Sequence, residues 1–204
     1  MNARRLASLA AAVLTLVACD RPVSLSFRVF TPAPDQLQQT FWPVTDFALT
    51  ERYEQTVTLA DLKGKVWVAD FFYSSCPGPC PMLSSRLSDV QKAIGADDRV
   101  RLVSISTDPE KDTPGVLRQY AEKFQAGERW LFLTGPKAAT HDLARNGFKL
   151  PFAEDPTAAE PITHSTRLIL VDQSGAIRGL YEGAGEEGPD RLLRDLRRLL
   201  KTQP

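Results

Sequence analysis

Cys76 and Cys80, in Cys76-Pro77-Gly78-Pro79-Cys80-Pro81, are the residues whose type and spacing most directly imply chemistry. Two thiols so placed either close a disulfide or present two soft sulfur ligands to a metal, and a third ligand decides between those fates. As a staple the pair would achieve little, because a disulfide across so short a loop removes little entropy from the unfolded chain. Cys76, Gly78 and Cys80 each precede a proline and are biased away from helical angles, which keeps the stretch a loop. Pro81 suits the first position of a helix, so Cys80 is the expected N-cap. The positive end of that helix is then expected to lower the pKa of the nearer thiol.

The elements around the pair follow from pattern. Val66 to Tyr73 is a mostly apolar run with β-favouring residues and predicts a central strand, and residues 81–94 predict a helix starting on a proline. Arg99 to Ser106 predicts a second strand, so strand, helix and strand form a βαβ unit. Asp112-Thr113-Pro114 offers a cap and a proline at the start of a helix running to about Phe124. A third strand is expected at Trp130 to Leu133 and a third helix over 136–146, closed by Asn146-Gly147. Phe47 to Leu59 suggests a hairpin, and Leu168 to Ile177 a second one turning at Gln173 to Gly175. Leu192, Leu193, Leu196, Leu199 and Leu200 recur at helical spacing. The order fits an α/β, thioredoxin-like three-layer sandwich with a central mixed sheet, flanking helices and an N-terminal hairpin. The pattern alone also allows other α/β sandwiches.

The N-terminus has its own signature. Arg4 and Arg5 precede an uncharged stretch from Leu6 to Ala18, which reads as an export signal and is short for a membrane span of about 20 residues. Leu16-Val17-Ala18-Cys19 resembles the bacterial lipobox, making Cys19 the expected lipid anchor and residues 1–19 the signal. Residues 20–42, with several prolines and a run of glutamine, read as a linker, leaving 43–204 as one domain. Asp20 after the anchor implies an inner-membrane lipoprotein facing the periplasm, in a host with two membranes. Lys plus Arg and Asp plus Glu both number 25, so the chain carries no net charge and nothing in it asks for nucleic acid. Export places the cysteine pair in an oxidising compartment.

The candidate third ligand is His164, in Ile162-Thr163-His164-Ser165-Thr166, at the end of a weakly patterned stretch, 148–163, of the long-loop type that often carries function. In a thioredoxin-like fold the strand that follows starts beside the helix bearing the cysteines. Ordinary oxidoreductases of that fold place a cis-proline where this chain has Thr163 to Ser165, and no proline stands there.

Four segments in register, Asp70 to Pro81, Ser104 to Pro114, Leu133-Thr134-Gly135, and His164-Ser165 before Leu168 to Gly175, resemble the Sco/SenC copper-chaperone family over residues 45–185. The resemblance implies a thioredoxin-like domain that binds copper, as Cu(I) and/or Cu(II), through Cys76, Cys80 and His164. It implies assembly of the dinuclear copper centre of cytochrome c oxidase, with the copper-accepting oxidase subunit and a thiol reductant or upstream copper donor as partners. Two positions depart from the family pattern. Thr163 stands where an acid is common, and Pro77-Gly78-Pro79 is a stiffer spacer than usual.

Chemistry alone agrees with copper, since two thiolates and an imidazole suit Cu(I), and a further ligand completes a Cu(II) site. Zinc also accepts that set. Metal-free, Cys76 and Cys80 form a redox-active pair, so the rival reading is a thiol-disulfide oxidoreductase. A redox sensor is a third. A thiol peroxidase is disfavoured because Tyr73 occupies the position where peroxidases of this fold favour threonine. His141 is expected on a helix surface, Met82 packed in the first helical turn, and Trp67, Phe71 and Phe72 in the core. Asp108 and Asp112 are expected to serve as turn and cap residues, Asp108 with a part in supporting the site loop.

Overall fold

The computed structural model of the protein describes residues 40–154 and 162–202, with only the backbone described for Glu154, Thr163 and His164. The signal, Cys19 and the linker up to residue 39 lie outside the described residues.

A seven-stranded sheet is ordered β2-β1-β5-β4-β3-β8-β9. Its centre is parallel: β3 (Val66–Phe72), β4 (Val100–Ser106) and β5 (Trp130–Thr134) run in one direction. Antiparallel strands flank them, β1 (Ala48–Glu51) with β2 (Thr56–Thr58) on one side and β8 (Arg167–Val171) with β9 (Ile177–Glu182) on the other. The expected N-terminal hairpin is thus the end of the main sheet.

Every residue of β3 is buried, as a central parallel strand covered on both faces must be. Side chains alternate across it. Val66, Val68 and Phe72 join one apolar cluster with residues of α2 (Cys80–Ile94), α3 (Pro114–Lys123) and α5 (Glu187–Thr202). Trp67, Ala69 and Phe71 join a second with α1 (Leu59–Leu62) and the π-helical turn Leu143–Gly147 that continues α4 (Lys137–Asp142). These are the three layers of a thioredoxin-like sandwich, as expected.

Three local expectations change. The third helix is α-helical only to Asp142 and then widens into the π turn. Thr113, not Asp112, caps α3, its Oγ1 accepting from the Val116 N–H. The stretch 148–163 contains a strand, β6 (Phe152–Glu154), paired antiparallel with β7 (Ile162–His164) in a separate two-stranded sheet. Phe41 and Trp42, at the end of the expected linker, exchange backbone hydrogen bonds with Ile177 at 3.0 and 2.9 Å and pack against the second cluster.

Candidate metal centre

The cysteine loop leaves the end of β3. The Cys76 N–H donates to the Tyr73 carbonyl at 3.2 Å, and the chain turns into α2 with Pro79 as N-cap and Cys80 as the first helical residue, so the helix starts one residue earlier than expected. Neither sulfur is in a disulfide, and both residues are buried, Cys76 7 % exposed and Cys80 0 %.

Burial overturns the expected acidification of the nearer thiol. The Cys80 pKa is raised, first by desolvation and then by its hydrogen bond with Cys76, while a backbone hydrogen bond with Tyr73 opposes the rise. A helix N-terminus supplies at most about 2 kcal/mol to a nearby anion. Removing a charge from water costs several.

A buried carboxylate laces the loop to the sheet, and it is Asp112 rather than Asp108. Asp112 accepts from the Ser74 N–H at 3.2 Å, from the Ser74 hydroxyl, and from Ser106 Oγ at 2.6 Å. Its pKa is raised by burial against the lowering effect of these donors. Asp108 lies one link further out, its N–H donating to Ser106 Oγ at 3.1 Å and its carboxylate meeting Lys111 Nζ at 2.9 Å. Thr107 donates from both N–H (2.8 Å) and Oγ1 (3.0 Å) to the Phe72 carbonyl.

Asp70 shares the β3 face of Val68 and Phe72, the face turned towards the cluster that contains both cysteines. It is fully buried, and Oδ1 accepts from Ser104 Oγ at 2.5 Å, which in turn accepts from Trp130 Nε1 at 2.9 Å. Oδ2 has no hydrogen-bond partner. Desolvation pushes the Asp70 pKa up to about 7, and a charge there in turn raises Cys80 and Tyr120. A lone acid inside an apolar run was the only sequence signal for it.

His164 ends β7, opposite Phe152 in register. The residues on either side bring its backbone to the cysteine end of α2. Ile162 is buried in the same cluster as Cys76, Cys80 and Leu83. The Thr166 carbonyl accepts from the Gly183 N–H at 3.1 Å. A Cβ at Gly183 would fall 2.4 Å from Leu83 Cδ2 and 2.6 Å from that carbonyl oxygen, so only glycine lets the strand end, the first turn of α2 and the chain after His164 meet.

The other expectations fare unevenly. Trp67, Phe71 and Phe72 are core, as expected. Met82 is 39 % exposed rather than packed in the first helical turn, because it lies on the side of α2 away from the sheet. His141 is buried, not on a helix surface: Nε2 is 3.0 Å from the Thr107 carbonyl oxygen and the ring centroid 4.3 Å from that of Phe152. Nothing in the local pattern around His141 marks it for burial, since Phe152, which packs against its ring, comes from β6.

The SCO1/SenC family model matches residues 35–201. The chain belongs to the SCO1/SenC family. A SCO1/SenC lipoprotein of Bacillus anthracis superposes with a TM-score of 0.73 at 29 % identity, covering 80 % of this chain and 99 % of that one. ScoI of Bradyrhizobium japonicum, solved with copper bound, gives 0.68 at 28 %, covering 77 % and 99 %. BsSco, described as having a disulfide switch and as a member of the Sco family of cytochrome c oxidase assembly proteins, gives 0.70 at 28 %, covering 80 % and 98 %.

In this SCO1/SenC domain no three His, Cys, Asp or Glu side chains gather into a metal-holding group among the described residues. Cys76 and Cys80 supply two soft donors. A three-donor site therefore needs a ligand from beyond those side chains. Of the two histidines in the chain, His141 is engaged with Thr107 and Phe152, and His164 is on the strand whose Ile162 joins the apolar cluster that contains both cysteines.

Proposed function

We propose that this SCO1/SenC protein is a membrane-tethered metallochaperone that carries copper on Cys76, Cys80 and His164. It delivers the ion to the dinuclear copper centre of cytochrome c oxidase or prepares that centre's thiols. The observation that carries the reading is the pair of buried, unjoined thiols at and just before the start of α2, with the chain after His164 meeting Gly183, which in turn packs on Leu83 of the same helix turn. The copper-bound relative and the family's tie to oxidase assembly supply the cargo and the acceptor.

The geometry suits hand-over. A raised Cys80 pKa keeps that thiol protonated at neutral pH, so copper uptake there releases a proton, and the soft sulfurs retain Cu(I) once the ion is bound. Three donors leave room for an acceptor ligand to enter before a donor leaves. Lipidation of Cys19 would hold the domain at the periplasmic face of the inner membrane. Among the described residues no helix is long and apolar enough to cross a membrane, and a relative is a lipoprotein.

The test is copper titration of reduced protein followed by absorption and electron paramagnetic resonance. One copper per chain is expected, with sulfur-to-Cu(II) charge-transfer bands that change in Cys80→Ser and His164→Ala. Uptake indifferent to Cys76, Cys80 and His164 sinks the reading. For the anchor, Cys19→Ala should release the protein from the membrane fraction, and unchanged sedimentation would remove Cys19 from the account.

A second reading, thiol-disulfide exchange, is favoured by the reduced state of both cysteines and by the disulfide switch of BsSco. In it the two thiols are oxidised to a disulfide while a partner disulfide is reduced to two thiols. Burial of Cys80 works against it, because a protonated, buried thiol is a slow nucleophile. Insulin reduction by metal-free protein, retained in His164→Ala, would make exchange the main activity.

A further inference from the structure

We propose that His141 is a positioning residue for the copper site, clamping the β6–β7 hairpin that carries residue 164. The inference rests on the reading of His164 as a ligand. Phe152 is the register partner of His164, so what fixes Phe152 fixes the backbone from which the ligand projects. Phe152 is held by two residues one helical turn apart. The His141 ring lies 4.3 Å away at 44°, and the Arg145 guanidinium sits 5.0 Å from the Phe152 centroid. Arg145 belongs to the π turn that continues α4, so the widened turn supplies the second contact.

His141 is in turn tied to the sheet. Its Nε2 is 3.0 Å from the Thr107 carbonyl oxygen, and Thr107 is bound twice to the Phe72 carbonyl at the end of β3. Ser74, two residues beyond Phe72, is held by Asp112, and Cys76 follows. One run of contacts thus joins the cysteine loop to the strand of His164: Phe72, Thr107, His141, Phe152 and residue 164. The hairpin lies outside the main sheet and has only three paired positions of its own. Such a short ribbon is marginal alone and takes its place from what it packs on.

The test compares His141→Ala, Phe152→Tyr and Arg145→Ala with wild type and with His164→Ala. In metal-free His141→Ala, amides of residues 152–154 and 162–164 should exchange about tenfold faster while those of β3 and β4 keep their protection. Copper affinity should fall about tenfold, with the Cu(II) spectrum moving towards that of His164→Ala. Phe152→Tyr, which keeps the ring, should behave as wild type. Exchange rates and copper spectrum of His141→Ala equal to wild type overturn the inference, and so does faster exchange with an unchanged spectrum where His164→Ala alters it. Should His141→Ala not fold, the exposed Arg145→Ala decides. A roughly threefold effect on both measurements supports the clamp, and none overturns it. If His164→Ala itself leaves copper binding unchanged, the ligand reading is what fails. Hydrogen exchange then decides alone whether His141 holds the hairpin.

Discussion

The two halves of the candidate centre are built to different standards. The thiol half sits at the end of β3, a strand buried along its whole length and paired to β4 over seven positions, with Asp112 fastening the loop at Ser74. The histidine half is a hairpin of two three-residue strands outside that sheet. Its described attachments are Ile162 in the core, Phe152 against His141 and Arg145, and the Thr166 carbonyl on Gly183. On the proposed metallochaperone reading, a site that captures an ion and then gives it up would benefit from that inequality, the sulfurs staying in place while the shorter, separately paired element opens.

The largest expected effect belongs to the thiol half alone. The Asp70 pKa is raised by burial from 3.8 to about 7, so the folded protein holds this proton more tightly than the unfolded chain. Stability from that proton is complete below about pH 4 and is lost as pH rises to about 7, a loss of about 4 kcal/mol. Asp70→Asn should remove the slope, leaving the variant more stable than wild type at pH 8 by up to about that amount. Urea unfolding at pH 5 and pH 8 measures it. Equal pH dependence in both proteins would show that Asp70 is not the group responsible.

Next in size is Asp112→Ala. Ser74 and Ser106 lose a shared acceptor in a buried setting, which costs about 3 kcal/mol. The loss should appear in the urea midpoint and in faster exchange of the Ser74 amide, with the β6–β7 amides unchanged. If the hairpin loosens equally, the two halves are one cooperative unit and the contrast between them is gone.

What could be read from the chain follows the same division. The central strands, α2, the β8–β9 hairpin and the amphipathic α5 are legible because each carries its own period or turn chemistry. The cysteine pair is legible because three prolines and a glycine mark its loop. What escaped depends on long-range contact. Residues 152–154 and 162–164 are too short to show alternation and exist as strands only through each other. His141 reads as a surface position until β6 folds over it. Asp112 looks like a helix cap because Thr113, its neighbour, is one, while its own carboxylate turns back to Ser74 and Ser106. The Cys80 pKa went the opposite way because a dipole is visible in sequence and the depth of burial is not.

The smallest effect tests the histidine half directly. Ile162 is 7 % exposed in the cluster shared with Cys76 and Cys80, and Ile162→Val removes one methyl group there at a cost of about 1 kcal/mol. If the hairpin opens independently of the sheet, that cost stays local. Amides of residues 162–164 should then exchange about fivefold faster while the urea midpoint and the β3 amides hold their wild-type values. A fall in the midpoint matched by faster exchange in β3 would mean that the hairpin opens only when the whole domain does. In that case the release of a ligand at residue 164 would require unfolding of the thiol half as well, which a protein that hands on its cargo while folded cannot use.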